Sequence, residues 1–385
     1  MRLGLGLLLA GLGALLVSCN QDPVFYYVSQ EQPPVDPLVS GHPSKMAGIG
    51  DDMYVANPRG IWKYSSSVWS VVSKPSGYVR DIAAAGDYLY ALVENDASER
   101  LLYRQDMVTS PSTDWQPVSN GTSYELQSIF GVGTTSPVAL FAGGRKQDTG
   151  DAAVYAVLYT DTTGNSLSPT AIVSSGTTTG DGLLLAAAYF ESNYYISVTG
   201  GGIQYSSAAS LASPTTVDDS ADAGDFIAFA QVGSNLVATA SNGTIWQIPN
   251  SGTPISKEEY AVVFTPALTV WKNSSSTETL LLIGRGNASS ATYLFYGYYE
   301  LPISAGGLDF TSDLLDPGDP GDEETSTITN DKQAAYDISL GIRSLTSIFQ
   351  ASDGTVFAST QQKGLWSLRS GTWSLRSGTW GIEPK

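Results

Sequence analysis

Residues 364–385 read GLWSLRSGTWSLRSGTWGIEPK, and they contain the seven residues WSLRSGT twice in succession. The first fourteen of these residues match residues 60–73, GIWKYSSSVWSVVS, at six positions. Trp62 aligns with Trp366 and Trp69 with Trp373, although the protein has only 8 Trp. Two distant stretches that pair tryptophans at equal spacing indicate copies of one structural unit.

Weaker copies of this unit recur between the two stretches. Seven short runs are typical of strands: DDMYVAN (51–57), GDYLYALV (86–93), SPVALFAGG (136–144), SNYYISVTG (192–200), GSNLVATAS (233–241), TETLLLIGRG (277–286) and DGTVFAST (353–360). A second short aromatic run follows each of them, and an apolar run such as VRDIAAA (79–85) precedes most of them. The predicted unit is therefore three short strands and an outer strand.

About seven such units predict an all-β fold, a β-propeller of seven blades with four antiparallel strands each. A four-stranded twisted sheet cannot bury both of its faces alone, but sheets stacked around an axis cover one another. Large aromatic side chains on the middle strands would fill the space between blades. We expect the ring to close by packing of the first blade on the last. The alternative is an extra edge strand on the last blade, formed by VFYYVSQ (24–30).

The doubled WSLRSGT fits this scheme as an internal duplication. By comparison with the unit at Gly60, one copy is enough to complete the last blade. GLWSLR would be its third strand, and TWSLRS or TWGIEP its outer strand. Insertions near a terminus disturb a fold little, so we interpret the second copy as tolerated rather than required.

The composition narrows the possible partners. The protein has 385 residues, 42% of them hydrophobic, and a net charge of −18. Nucleic-acid binding depends on Lys and Arg that neutralise phosphates, so this charge argues against it. Basic clusters that would bind anionic lipid headgroups are also missing from the sequence.

The only cysteine, Cys19, follows an apolar stretch from Leu3 to Val17 with Arg2 before it. This stretch is too short for a membrane-spanning helix and has the layout of a signal peptide. Leu16, Val17, Ser18 and Cys19 resemble the lipobox of bacterial lipoproteins. The resemblance implies cleavage after residue 18, acylation of the Cys19 thiol and a membrane-anchored extracytoplasmic protein. A buried Cys in an ordinary cleavable signal is the alternative.

These features divide the sequence into three parts. Residues 1–18 are the predicted lipoprotein signal peptide, and residues 19–43 are the lipidated N-terminus and a polar, proline-containing tether. Residues 44–385 are the predicted propeller, interrupted by an acidic loop over residues 309–337.

One predicted unit has a further resemblance. The stretch SLTSIFQASDGTVFASTQQKGLWSLRSGTW is similar to the propeller repeat of periplasmic two-component sensor proteins, and the matching residues are Ile348, Asp353, Gly354, Phe357, Thr360, Gly364 and Leu365. In that family such propellers sense extracytoplasmic ligands and signal through an attached kinase. The present sequence carries no kinase, so the resemblance implies the fold and not the signalling.

The sequence gives little support for a metal site or a catalytic site. The acidic loop, with Asp313, Asp316 and Asp319 among its carboxylates, could offer ligands to Ca²⁺, but its spacing is not that of an EF-hand. We interpret it as a solvated loop. His42 is the single histidine and lies in the predicted tether, which disfavours a metal site or a Ser-His-Asp triad. We predict no catalytic residue, no metal and no cofactor.

Two turns, SDG at 352–354 and SNGT at 241–244, are similar to the Asp-box of sialidase-like propellers. In that family the Asp-box is a structural turn and not the active site. Glycoside hydrolysis needs a carboxylate pair or a Tyr nucleophile flanked by Arg, and no cluster among the ten Arg can be assigned from the sequence. The many Tyr and Trp could form a sugar-stacking surface, but their place in the repeat favours the core between blades.

The sequence thus predicts a lipid-anchored propeller that acts as a non-catalytic binding platform with a protein partner. A glycan-binding or glycan-hydrolysing propeller and an envelope assembly scaffold are the alternatives. A funnel with several Arg and carboxylates would favour glycan chemistry, whereas an apolar rim or a bare edge strand would favour a protein partner.

Overall fold

A computed structural model describes most of the protein from residue 38 onward. The described residues are 38–109, 114–121, 123–133, 137–147, 153–161, 165–176, 182–218, 225–249, 256–260, 262–273, 277–286, 297–304, 307–310, 344–361, 364–369 and 379–382. They form 28 β-strands. Within these ranges, no helix is long and apolar enough to pass through a bilayer.

The strands form seven blades of four antiparallel strands in sequence order. Blades 1 to 4 comprise β1 Ala47–Ile49, β2 Asp52–Asn57, β3 Gly60–Ser65, β4 Val68–Val72; β5 Tyr78–Ala85, β6 Tyr88–Glu94, β7 Arg100–Asp106, β8 Gln116–Asn120; β9 Glu125–Val132, β10 Ala139–Gln147, β11 Ala153–Asp161, β12 Ser166–Gly176; and β13 Leu184–Phe190, β14 Asn193–Val198, β15 Gly202–Ser206, β16 Thr215–Asp218. Blades 5 to 7 comprise β17 Phe226–Val232, β18 Asn235–Ala240, β19 Thr244–Pro249, β20 Ser256–Glu259; β21 Phe264–Lys272, β22 Glu278–Arg285, β23 Tyr298–Ser304, β24 Gly307–Leu308; and β25 Leu345–Gln350, β26 Val356–Thr360, β27 Gly364–Arg369, β28 Thr379–Ile382.

The predicted fold class is confirmed. Each of the seven strand-like runs forms the second strand of its blade, from β2 to β26. The aromatic runs that follow form the third strands, with one shift in blade 6. There the predicted run spans residues 292–301, whereas β23 begins at Tyr298, so only the end of that run lies in the strand.

The core consists of seven hydrophobic clusters, one between each pair of neighbouring blades. The second strand of a blade contributes to two of them because its side chains alternate between the two faces of the sheet. In β2, Tyr54 and Ala56 pack on blade 2. Met53 and Val55 in the same strand pack on blade 7. A run such as MYVA is apolar throughout because both faces of the blade are buried.

Large aromatic side chains fill these clusters, as the sequence predicts. Six of the largest fully buried residues are aromatic and come from second or third strands: Tyr54, Tyr90, Phe141, Tyr195, Trp246 and Phe357. Near the axis the strands come closer together and need small residues. A Cβ on Gly131 of β9 would lie 1.8 Å from the carbonyl oxygen of Ala84 in β5.

Blades 2 and 3 are joined at their outer edges as well. The outer strands β8 and β12 pair in parallel, Ser119 with Ser166 and Asn120 with Leu167. Together the two blades make one eight-stranded sheet. The sequence units contain no sign of this connection, because it depends on where two outer strands meet in space.

The ring closes between blades 7 and 1 through packing and through polar contacts. Asp353, in the turn before β26, accepts hydrogen bonds from the Tyr64 hydroxyl and the Ser67 hydroxyl of blade 1, both at 2.7 Å. The other carboxylate oxygen accepts the Thr355 N–H at 3.0 Å. Phe357 packs edge-on against the ring of Tyr64. The predicted packing of the first blade on the last is present, with added hydrogen bonds.

A segment before β1 also takes part in closure. Val39 is fully buried among residues of blades 1 and 7. The carbonyls of Val39 and Gly41 accept the N–H groups of Leu365 and Gly364 in β27. The Asn57 side chain donates to the Ser40 carbonyl at 3.1 Å. The last residues of the predicted tether, 19–43, therefore pack on the ring, whereas VFYYVSQ (24–30) lies outside the described residues.

Deleting residues 373–379 should leave the melting temperature nearly unchanged. In the structure, Arg369 pairs with Thr379, and residues 370–378 between them lie outside the described part. After the deletion Thr372 would take the place of Thr379, leaving Ser370 and Gly371 as a two-residue turn. Blade 1 uses such a turn at Ser66 and Ser67, whose φ angles of 48° and 64° are typical of a type I′ hairpin.

Thermal unfolding followed by circular dichroism checks this prediction. We expect a shift of at most about 2 °C, because a shorter connection between two strands changes the closure entropy little. The matched control is the truncation of residues 370–385, which removes both TWSLRS and TWGIEP as possible outer strands and should lower the melting temperature clearly. Similar losses in both variants would contradict the duplication hypothesis.

Replacing Asp353 by Ala should destabilise the ring by about 2 kcal/mol, because two hydroxyls lose a charged acceptor. Burial alone would raise the pKa of Asp353, but hydrogen bonds from Ser67, Thr355 and Tyr64 hold the pKa below its usual value. The stabilisation from this lowered pKa is present above the unfolded pKa of about 4 and is lost as the pH falls further. Denaturant unfolding between pH 7 and pH 2 measures it. Asp353→Asn, which cannot titrate, should lose less stability over the acidic range than the wild type.

Candidate functional site

The central channel is the natural place for a site in this ring, and the innermost strands form its wall. Five of these strands contain one extra residue opposite the second strand, a β-bulge, at Arg80, Gln127, Leu185, Ile227 and Thr346. Strand β21 has a larger irregularity between Phe264 and Leu268. Bulges increase the local twist and redirect side chains, so they shape the channel at equivalent positions.

Two cavities lie along this channel. One, of about 270 Å³, is lined by the inner strands of blades 1, 2 and 3. The other, of about 560 Å³, is lined by inner strands of blades 5, 6 and 7 and by the segment before β1. Lys45 and Met46 line both cavities. The smaller cavity has mainly apolar side chains such as Phe130, whereas the larger one mixes apolar side chains such as Phe229 and Phe349 with polar and charged ones.

Lys45 is the central charged residue of the channel. Its ammonium group pairs with the carboxylate of Asp81 at 2.8 Å and donates to the Ile129 carbonyl at 2.8 Å. It also lies 3.6 Å from the centre of the Phe130 ring. One cation thus links the inner strands of blades 2 and 3 to the segment before β1. The cation–π contact adds to the ion pair because the site is partly desolvated.

Asp81 is held in an unfavourable environment for a carboxylate. Its side chain is only 14% exposed. Burial raises the pKa of Asp81 above its usual value, and the charge and hydrogen bond of Lys45 offset only part of this shift. The backbone N–H of Ile82 also donates to Asp81, at 3.0 Å. The pair is therefore sensitive to the loss of either partner.

A second set of charged residues surrounds Glu94 on blade 2. Arg80 forms a two-point contact with Glu94, with N–O distances of 3.0 and 2.7 Å. Arg100 lies 3.7 Å from Glu94 and 3.7 Å from Glu125 of blade 3. The hydrogen bond from Arg80 lowers the pKa of Glu94 below its usual value. This Arg grouping was not predictable from the sequence, because its members come from four different strands, β5, β6, β7 and β9.

The second charged pair of the channel wall is Lys272 with Glu278. Their closest N–O distance is 3.7 Å, and Glu278 also accepts the Gly233 N–H at 2.8 Å. Gln350 of blade 7 bonds both the N–H and the carbonyl of Lys272. Among the described residues that line the two cavities there is no Arg and no His. This lining does not match a glycan funnel with several Arg and carboxylates.

The residues predicted as special sites fall in different places. Cys19, the predicted lipid attachment site, lies outside the described residues, as do positions 311–337 of the acidic loop. His42 is exposed, and no cluster of three or more His, Cys, Asp or Glu suited to a metal occurs in the described ranges. Both Asp-box-like sequences form turns: Asn242 accepts the Thr244 N–H and Asp353 that of Thr355.

The aromatic residues lie mainly between blades and not on a sugar-stacking surface. Trp246 is 1% exposed, and Trp271 is buried in the cluster between blades 6 and 7. Trp62 and Trp69 pack partly against the cluster that closes the ring. Their main role is therefore to fill the wedge between neighbouring sheets.

Comparison with known proteins supports the fold and nothing finer. No protein-family model matches the sequence, and no curated protein sequence matches it. One similar solved structure is described as the mitotic checkpoint complex, with 12% identity over 88% of this chain and 93% of that chain and a TM-score of 0.55. Another is the WD40 β-propeller domain of Doa1, with 9% identity over 86% and 92% of the two proteins and a TM-score of 0.51.

Replacing Lys45 by Met should destabilise the protein more than replacing Asp81 by Asn. The first change leaves a buried carboxylate without its cation, at a cost of about 3 kcal/mol near pH 7. The second removes a charge that burial disfavours, so it should cost less. Because the pKa of Asp81 is raised, protonation relieves the Lys45→Met variant as the pH falls, and its deficit should shrink.

Denaturant unfolding of the two single variants and the double variant, at pH 7 and near pH 4, measures this coupling. The double variant should be more stable than Lys45→Met alone at pH 7. A deficit for Lys45→Met that stays constant over this range would contradict the buried ion pair as described.

Proposed function

We propose that this protein is a lipid-anchored extracytoplasmic propeller that serves as a non-catalytic platform for a protein partner. One observation carries the platform part of the proposal. The channel carboxylates Asp81 and Glu278 are each held by a lysine, whereas the outer strand β4 exposes apolar side chains. Paired charges favour a structural role for the channel, and exposed apolar groups on a rim favour contact with another protein.

The fold is suited to this role. A propeller is rigid because each blade is held on both faces, and it presents loops and outer strands around its circumference. Propellers with little sequence identity support many functions, so the fold alone does not name the partner. An envelope assembly scaffold is one form of such a platform.

Crosslinking of the lipidated protein in its native envelope, followed by affinity purification under denaturing conditions, tests the platform. We expect a defined protein to be recovered reproducibly with the wild type and not with an unfolded variant. Recovery of the protein alone, or a measured hydrolysis of an envelope glycan that depends on this protein, would count against the proposal.

The anchor rests on the resemblance of residues 16–19 to a lipobox. Cys19→Ala should abolish incorporation of labelled palmitate and move the protein from the membrane fraction to the soluble extracytoplasmic fraction, because the thiol is the acceptor of the lipid. Ser18→Ala, next to the cysteine, is the matched control and should keep the label. Membrane retention of the Cys19→Ala variant would refute lipid anchoring.

A further inference from the structure

The outer strand of blade 1 leaves an apolar edge exposed to solvent. Strand β4 has the sequence VWSVV, without charge or proline. Val68 is 64% exposed and Val71 is 77% exposed, the two largest values among the exposed apolar residues of the described ranges. In the described part of the protein, β4 pairs with β3 and with no other strand. An unprotected edge of this kind is a ready template for another strand.

Five of the six other outer strands are protected in ways that β4 is not; the sixth, β28, has the sequence TWGI and pairs with β27. Strand β8 pairs with β12. Strand β20 has the charged sequence SKEE, and β16 ends in an aspartate, TTVD. Strand β24 has only two residues. Short length, charge and pairing are the usual means by which proteins block edge pairing.

The hairpin geometry determines which backbone groups face outward. Ser65 and Val68 flank the two-residue turn, and the pairs continue through Ile61 with Val72. In such a hairpin the pair next to the turn is hydrogen bonded, and bonded pairs alternate with non-bonded ones. Val68, Ser70 and Val72 therefore bond to β3. The N–H and C=O of Val71 point to the open side.

The ring itself contains the kind of pairing that this edge could accept. Strand β12 of blade 3 adds to the outer edge of β8 in blade 2. The contact includes a backbone hydrogen bond of 2.7 Å from Ser119 N–H to the Asn165 carbonyl. An outer strand of this propeller is thus able to accept a further strand without disturbing its blade.

The region around β4 is also the basic part of an acidic protein. Residues 53–80 contain none of the 37 Asp and Glu of the sequence and four of its 19 Lys and Arg. Lys63 pairs with Asp52 and Arg80 with Glu94. Arg59 and Lys74 have no carboxylate partner among the described residues; the Lys74 ammonium bonds only carbonyls. Both lie just beyond the Ile61–Val72 pair, at one end of β4.

We propose that β4 is the docking edge for an extended segment of a partner protein that is acidic at one end. The segment would pair with the backbone at Val71 and cover Val68 and Val71 with apolar side chains. Its carboxylates would lie beside Arg59 and Lys74. This inference rests on the proposed platform function and names the surface and the chemistry of the partner.

A second copy of this protein fits the edge less well. Each copy has a net charge of −18, so two copies repel each other. Arg59 and Lys74, which have no carboxylate partner within the described ranges, would also have no acidic strand beside them, because β4 itself contains no carboxylate. An acidic strand from a different protein satisfies both the edge and its charges.

Selection from a displayed library of random nine-residue peptides against the purified soluble protein, residues 20–385, tests the proposal. Val68 and Val71 lie on opposite faces of the sheet, so we expect enriched peptides with β-branched or aromatic residues on both faces of the strand and Asp or Glu at one end. Val71→Pro removes one outward N–H and leaves the bonds to β3 in place, so it should weaken binding of the enriched peptides roughly tenfold. Val71→Thr, which keeps the N–H and strand propensity, is the matched control and should bind within about twofold.

Charge-reversal variants test the proposed contact of the acidic end of the partner segment with Arg59 and Lys74. Arg59→Glu and Lys74→Glu should each weaken the acidic peptides several-fold, while Lys146→Glu, an exposed lysine on blade 3, should leave binding unchanged. If Val71→Pro does not melt like the wild type, Val71→Glu replaces it, because a charge on an edge also blocks pairing. Failure to enrich any peptide, peptides without acidic residues, or equal binding to Val71→Pro would overturn the proposal.

Failure of docking at β4 can be distinguished from failure of the proposed platform function. A partner crosslinked in the native envelope to wild type and to Val71→Pro alike would overturn docking at β4 and leave the platform function standing. Concentration-dependent dimers in sedimentation experiments that disappear in Val71→Pro would instead assign the edge to a second copy, against the proposal.

Discussion

The structure depends on one constraint: each blade must bury both faces of its sheet against its two neighbours. The second strands satisfy it by alternation, as Met53 and Val55 face one neighbour while Tyr54 and Ala56 face the other. A single blade would not be stable alone, since one repeat unit cannot bury its apolar faces without its neighbours. The ring as a whole is therefore the cooperative unit, and its closure is a condition for every blade.

The need to close the ring accounts for the hydrogen bonds that supplement apolar packing between the last and first blades. The backbone does not connect the two blades directly, so the interface must assemble from distant residues at a cost in conformational entropy. Asp353 provides a charged acceptor for two hydroxyls of blade 1, and residues 39–41 bond to β27. The same turn sequence, SDG, is similar to a structural motif of other propellers, and here its aspartate joins the first blade to the last.

The channel and the rim have different chemical characters. Lys45, in the segment before β1, and Asp81, next to the bulge of β5, form an ion pair in a mainly apolar wall, where their charges stabilise each other. On the rim, most outer strands are short, charged or paired, whereas β4 is apolar and open. The charged side chains near the axis are paired with one another, whereas exposed apolar side chains that could contact a partner lie at the circumference. This is the arrangement expected of a rigid body that binds through its edge.

The sequence by itself determined the fold class, the number of blades and the second and third strands, because the repeated alternation of apolar residues is a local property of each unit. It also predicted that the aromatic residues serve the core. The start of β23, the joined outer edges of blades 2 and 3, and the bulges were not predictable, since each depends on neighbouring strands in space. The same holds for the Lys45–Asp81 pair and the Arg80–Glu94–Arg100 group, whose members come from different parts of the chain. Only the tertiary structure decided which charges are paired and which strand edge is left open, because both are set by the distances between elements and not by the order of residues in the sequence.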